Sequence, residues 1–183
     1  MLIVYVLLAL VVLLLIWGVS VYNRYVRLRN QAEEAESAID VHLKQRYDLV
    51  PNLVETVKGY AKHEEETLTK VIEARNKAMG AGSLEEKDQL NASFSSSLKS
   101  LFALSEAYPD LKANQGFLDL QTQLSKIETQ LLSARKYYNA IIKQVNTICE
   151  VFPSSIVASL AHFTKRPYLQ IEDEARARVD VKF

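Results

Sequence analysis

Disulfides, chain breakers and net charge are all scarce in this sequence. Its single cysteine, Cys149, excludes an intrachain disulfide framework and fits a reducing compartment. Four prolines and five glycines in 183 residues leave few interruptions, so long helices are expected. The 22 basic and 22 acidic residues cancel, leaving none of the basic excess of a nucleic-acid binder, and no nucleic-acid partner is expected.

One apolar run stands out against this balance. From Leu2 to Tyr22 there is no charged side chain, and Arg24, Arg27 and Arg29 follow directly. At about 1.5 Å rise per residue the run spans the ~30 Å hydrocarbon core of a bilayer as a helix. Three basic residues after it and none before it place the N-terminus outside and the rest of the chain in the cytoplasm. A secretory signal peptide fits less well. Such a peptide has a basic leading region, an apolar core of about 7 to 15 residues and a small-residue cleavage site. This run has no leading charge and ends Trp17-Gly18-Val19-Ser20-Val21-Tyr22, where Trp17, Tyr22 and the nearby Tyr25 suit the headgroup boundary.

Beyond the run the pattern remains helical. Leu28, Ala32, Ala35, Ile39 and Leu43 recur at steps of three and four, so the anchor is expected to continue into the first cytoplasmic helix. Pro51 disfavours helical geometry at Val50 and removes a backbone donor. The first helix is therefore expected to end near Tyr47 and a second to begin at Asp48 after a tight reversal, with a kinked continuous helix as the alternative. Asp40, Lys44, Asp48, Asn52 and Glu55 would fix the angle there through caps and ion pairs. The second helix carries Leu53, Val54, Val57, Tyr60, Ala61, Leu68, Val71 and Ile72 inward and stops at Gly80-Ala81-Gly82-Ser83. A third, from about Leu84 to Tyr108-Pro109, turns Leu90, Phe94, Leu98, Leu101 and Leu104 inward.

The clearest periodicity follows. Phe117, Leu120, Leu124, Ile127, Leu131, Ala134, Tyr138, Ile141, Val145 and Ile148 form a heptad stripe on a helix roughly 50 Å long. Helices with one apolar stripe each, joined by short links, pack as an all-α, antiparallel up-and-down bundle. Pairing of the heptad helix with a second copy is the alternative. After Phe152-Pro153, Ile156, Val157, Leu160 and Phe163 mark a short amphipathic helix that Arg166-Pro167 ends; its apolar face either docks on the bundle or meets lipid or a partner. Tyr168 to Phe183 reads as an irregular tail strapped to the bundle. The organisation is thus residues 1–22 as anchor, 23–152 as cytoplasmic helical bundle and 153–183 as short helix and tail.

Several segments together resemble the LemA family of bacterial membrane proteins. They are Tyr22-Asn23, Leu28-Arg29-Asn30, Ile39-Asp40-Val41-His42-Leu43-Lys44, Asp48-Leu49-Val50-Pro51-Asn52-Leu53-Val54-Glu55-Thr56-Val57-Lys58-Gly59-Tyr60-Ala61-Lys62-His63-Glu64, Glu73-Ala74-Arg75, Tyr108-Pro109-Asp110-Leu111-Lys112-Ala113-Asn114, Arg135 with Tyr138-Asn139, and Phe152-Pro153. The resemblance covers almost the whole chain. It implies a single-pass anchor with the N-terminus outside, a cytoplasmic helical bundle and no established biochemical activity. Glu36 departs from a frequent tryptophan, and Gln144-Val145-Asn146 from a second Tyr-Asn pair.

Catalytic patterns are absent from the residues themselves. A carboxylate-bridged metal pair needs Glu-x-x-His, but Ile39, Tyr60 and Ser159 precede His42, His63 and His162 by three. Thr67 occupies the position four after His63, which breaks the zinc-protease motif. Glu66 and Lys70 offer an i,i+4 ion pair on a solvated face, and Ser95-Ser96-Ser97 reads as exposed helix surface. Cys149 reads as a buried small hydrophobe. No phosphate loop or nucleophile elbow occurs. No catalytic, cofactor-binding or metal-ligating residue is assigned, and no cofactor is expected. The function expected is a non-catalytic scaffold or interaction module of the cytoplasmic membrane, its partners the lipid bilayer and an unidentified membrane or cytosolic protein. Self-assembly into homo-oligomers is the alternative, and a metal-dependent hydrolase using His63 and the neighbouring glutamates a more distant one.

Overall fold

The computed structural model describes residues 1–170. Part of the expected tail, residues 171–183, lies outside them. Six α-helices and one 3-10 turn account for the order, with no strand among the described residues. Helix α1 runs Leu2–Tyr60, α2 Glu65–Met79, α3 Leu84–Leu104, the 3-10 turn Ser105–Ala107, α4 Pro109–Lys112, α5 Gln115–Glu150 and α6 Ser154–Leu160. The expected all-α bundle is what forms.

The helix ends follow from local chemistry. Ser83 caps α3, its hydroxyl accepting the Glu86 N–H at 3.1 Å while the Glu86 carboxylate accepts the Gly82 N–H at 2.9 Å. This satisfies two donors that have no partner inside the helix. Pro109 opens α4, where a missing N–H costs nothing. The Asn114 side chain caps α5 by accepting the Phe117 N–H at 2.9 Å.

Pro51 does not reverse the chain: α1 passes through it to Tyr60, and the turn falls at residues 61–64. Proline deprives the Tyr47 carbonyl of its usual helical donor four residues on. Arg75 of α2 supplies the replacement, its Nε donating to that carbonyl at 2.8 Å. Accordingly, the polar residues around Pro51 hold no interhelical corner. Lys44 and Asp48 pair at 2.9 Å along α1, and Asp40 reaches Lys87 of α3 at 2.8 Å.

The chain packs as two compact units. One consists of Met1–Ser37 with Arg135–Tyr168. Its core comprises Tyr25, Leu28, Ala32 and Ala35 of α1, Tyr138, Ile141, Ile142, Val145 and Ile148 of α5, and Ala158 of α6. The other comprises Ala38–Ala134 with Leu169 and Gln170. Here Ile39, Leu43, Tyr47, Val50, Leu53 and Val57 of α1 are buried with Leu68, Val71, Phe94, Leu98, Leu101, Phe117, Leu124 and Leu131. Within it α2 and α3 pack directly on each other. Each fully buried Leu or Ile contributes about 1.5–3 kcal/mol.

Some expected inward positions differ. Tyr60 and Ile72 are exposed, and Leu90, Leu104, Leu120 and Ala134 are half-buried. Residues Leu2 to Val19 are exposed apart from a half-buried Gly18, and the apolar window inside α1 has none of its residues buried. Length and composition make α1 a candidate membrane span.

Candidate functional site

In the second unit a cation occupies the core. Arg46 falls on the same three-and-four stripe as Ile39, Leu43, Val50, Leu53 and Val57, which turns it inward with only 1% of its surface exposed. Asn91 lies likewise in register with Phe94, Leu98 and Leu101 on α3 and is buried. Burial of an ionised side chain is costly unless it is paired and hydrogen-bonded. Arg46 Nη2 meets the Glu128 carboxylate at 2.6 Å and donates to Ser95 Oγ at 2.7 Å. Its Nη1 donates to Asn91 Oδ1 at 3.4 Å, and the guanidinium lies 4.7 Å from the Phe94 ring centroid.

The network extends through Asn91. Tyr47 donates its hydroxyl proton to Asn91 Oδ1 at 3.0 Å, and Asn91 Nδ2 donates to the Lys87 carbonyl at 2.7 Å. Lys87 Nζ then donates to both Asp40 carboxylate oxygens, at 2.8 and 2.9 Å. Burial raises the Tyr47 hydroxyl pKa against the opposing pull of its Asn91 bond and the nearby Arg46. Beside the network lies a cavity of about 320 Å³ lined by Arg46, Ser95, Leu98, Lys99, Phe102, Gln121, Leu124, Ser125 and Glu128. Its lining carries hydrogen-bond donors and acceptors beside apolar Leu98, Phe102 and Leu124. Ser95 accepts from a guanidinium and donates to the Asn91 carbonyl at 2.9 Å, so no general base activates it.

The segments that carry the family resemblance are hydrogen-bonded to one another. Arg75 of Glu73-Ala74-Arg75 answers Pro51 of the long motif, as above. Tyr108 donates to the Glu64 carboxylate at 3.1 Å, and Asn114 Nδ2 donates to the Tyr60 hydroxyl at 2.9 Å. Desolvation, then the Glu64 bond, raises the Tyr108 pKa. Tyr60 is thus exposed because its ring projects to a polar partner beyond the helix. The Glu66–Lys70 pair forms at 2.5 Å, and the hydrogen bond from Lys70 lowers the Glu66 pKa.

The first unit has its own polar fixture. Asn146 is buried, and its side-chain amide engages the Arg166 backbone both ways, accepting the N–H and donating to the carbonyl at 3.0 Å each. The Arg166 guanidinium reaches Glu33 at 3.4 Å and Lys165 meets Glu150 at 2.8 Å. A segment after α6 is thereby strapped to α5. Cys149 is half-buried rather than buried, and desolvation raises its pKa.

Chemistry-bearing side chains singled out by sequence remain scattered. His63 and Glu64 lie in the 61–64 turn and Glu65 and Glu66 open α2. No group of three His, Cys, Asp or Glu side chains able to hold a metal assembles among the described residues. Ser95 alone of the serine triplet joins a buried network. Sequence reasoning missed Arg46 and Asn91, although a polar residue in register with an apolar stripe was the visible signal.

A family profile described as LemA family matches residues 35–183. Protein LemA of Metamycoplasma hominis is 28% identical over 163 residues, covering 86% of this chain and 73% of that protein. Magnetosome proteins MamQ 1 and MamQ 2 of Paramagnetospirillum magneticum are each 23% identical over 175 residues, covering 81% of this chain. The chain spans 64% of the length of these two. None of the three names denotes an enzyme.

Proposed function

The chain belongs to the LemA family, and from that premise we propose a single-pass protein of the cytoplasmic membrane, N-terminus outside, that presents a non-catalytic helical bundle to the cytoplasm as a scaffold or interaction module. The observation that carries this reading is α1 itself. One helix, Leu2–Tyr60, contains both the unburied apolar run and the buried stripe from Tyr25 to Val57. Arg24, Arg27 and Arg29 at the junction support the orientation through the positive-inside rule. The polar residues of the family segments are engaged in caps and mutual pairs, which supports an architectural role over a catalytic one.

Self-assembly through the heptad stripe is less well supported, because Phe117, Leu124, Leu131, Tyr138, Ile141 and Val145 are already buried within one chain. Two experiments test the proposal. A cysteine introduced at exposed Glu85 in a Cys149→Ser background should resist a membrane-impermeant maleimide in intact cells and react after permeabilisation; labelling in intact cells overturns the orientation. Crosslinking of the full chain in cells, read by mass spectrometry, should recover discrete protein partners. Recovery of lipid alone, or of further copies alone, overturns the scaffold role.

A further inference from the structure

Beyond residue 22, the two most exposed large apolar side chains among the described residues are Leu160 at 78% and Phe152 at 76%. Ile156, at 52%, stands midway between them at steps of four. Each leaves apolar surface in contact with water that burial would stabilise. The structure fixes the position of the chain just after α6. After α6 the chain closes with His162 in the left-handed region, φ 52°, while the Phe163 N–H bonds the Ala158 carbonyl at 2.8 Å and the His162 N–H bonds the Ser159 carbonyl at 3.3 Å. This paired closure stops the helix and directs Phe163 back toward α1. The Phe163 ring stacks on Tyr25 with centroids 3.5 Å apart and planes 5° from parallel, and lies 5.6 Å from Tyr22.

Tyr22 ends the apolar run, and Tyr25 lies about 4.5 Å further along the helix. The headgroup layer is about 5–7 Å deep on each side of the hydrocarbon core. Phe163 is therefore held at headgroup depth, and Leu160, three residues away, is within about 11 Å of it. Arg24 and Arg27 are exposed at the same level and make no ion pair among the described residues.

We propose that α6 and the turn before it lie at the interface, the exposed side chains of Phe152 in that turn and of Ile156 and Leu160 in α6 entering the headgroup layer of the bilayer that α1 spans, with anionic lipid drawn to Arg24 and Arg27. The inference rests on the membrane-spanning reading of α1. Apolar side chains at this depth gain burial without a protein partner, and cations near an anionic surface add electrostatic attraction.

The test uses the full chain in vesicles of zwitterionic and anionic phospholipid whose acyl chains carry bromine near the headgroup or deep in the core. Native Trp17 is the only tryptophan and reports on the span; W17F/L160W reports on α6, and W17F/I156W provides an independent position should the first variant fail to fold. Fluorescence from α6 should shift to the blue and be lost to the shallow bromines more than to the deep ones, and more so with anionic lipid. Quenching of Trp17 without quenching from α6 overturns the inference and leaves the span standing. If Trp17 too escapes both quenchers, the spanning reading fails and takes the inference with it. A blue shift that no bromine quenches and that dilution into lipid abolishes assigns the patch to contact between copies, which also overturns it.

Discussion

At the residue scale, three groups are held by partners remote in sequence. Arg75 substitutes for the donor that Pro51 lacks, so R75M should destabilise by about 1.5–3 kcal/mol, the range for a hydrogen bond to a charged group. P51A restores an N–H for the Tyr47 carbonyl, and R75M should cost markedly less in that background; equal costs in a double-mutant cycle read by denaturant unfolding would refute the substitution. For Arg46, removing Glu128 takes away the carboxylate that pairs with this buried cation at 2.6 Å. E128A should cost about 3 kcal/mol, whereas R46M/E128L should cost less, since Asn91 keeps Tyr47 and Ser95 keeps the Asn91 carbonyl. Unfolding midpoints of the two variants decide this.

Tyr47 supplies a pH dependence. Its folded pKa is raised above 10.0 by burial, so the native state holds the proton more tightly than the unfolded chain. The contribution is complete below pH 10 and declines as pH rises through the folded value. Y47F should therefore flatten the loss of stability as pH rises above 10 relative to the parent protein. An unchanged slope would place the alkaline sensitivity elsewhere. These residue-scale facts also mark where sequence stops being informative. Pro51 argued for a reversal because the rescuing guanidinium is on another helix, and no local pattern announces it. Arg46 and Asn91 broke their stripes visibly, but the partners that make such burial tolerable sit on other helices: Ser95 of α3 and Glu128 of α5 for Arg46, and Tyr47 of α1 for Asn91.

At the scale of elements, the helices were largely legible. The α5 stripe follows a strict three-and-four rhythm, and its buried set runs from Phe117 to Ile148 with only Leu120 and Ala134 partly open. Ser83 with Glu86, Pro109 and Asn114 supply end signals of known chemistry. What rhythm alone does not show is which apolar residues find a neighbour. Ile72 is in phase on α2 and still exposed, and α6 shares the same ambiguity. The buried tie of the strap after α6 is one side-chain amide, Asn146, beside the Phe163 ring stack and two ion pairs. N146L removes both bonds to Arg166, and limited trypsinolysis of the full chain in membranes should then cut the Lys165–Arg166 bond several times faster, the Arg166–Pro167 bond being resistant to trypsin. Unchanged cleavage would show that Phe163 and the Glu33 and Glu150 pairs suffice without it.

For the whole molecule, the span and much of the core belong to one helix. Inserting Gly-Pro after Asn30 should leave helical content nearly unchanged while altering the set of partners crosslinked in cells. An identical set would show that helix continuity at Asn30 carries no functional weight.

The same continuity bears on biosynthesis. Translation makes α1 before every helix that later covers it, so an interrupted chain displays Leu28, Ala32, Ile39, Leu43, Val50 and Val57 as a bare apolar ridge. Complete chains bury that ridge, and incomplete ones do not. An incomplete chain therefore carries the kind of exposed apolar surface that makes partly folded species prone to aggregate, and completing the chain removes it.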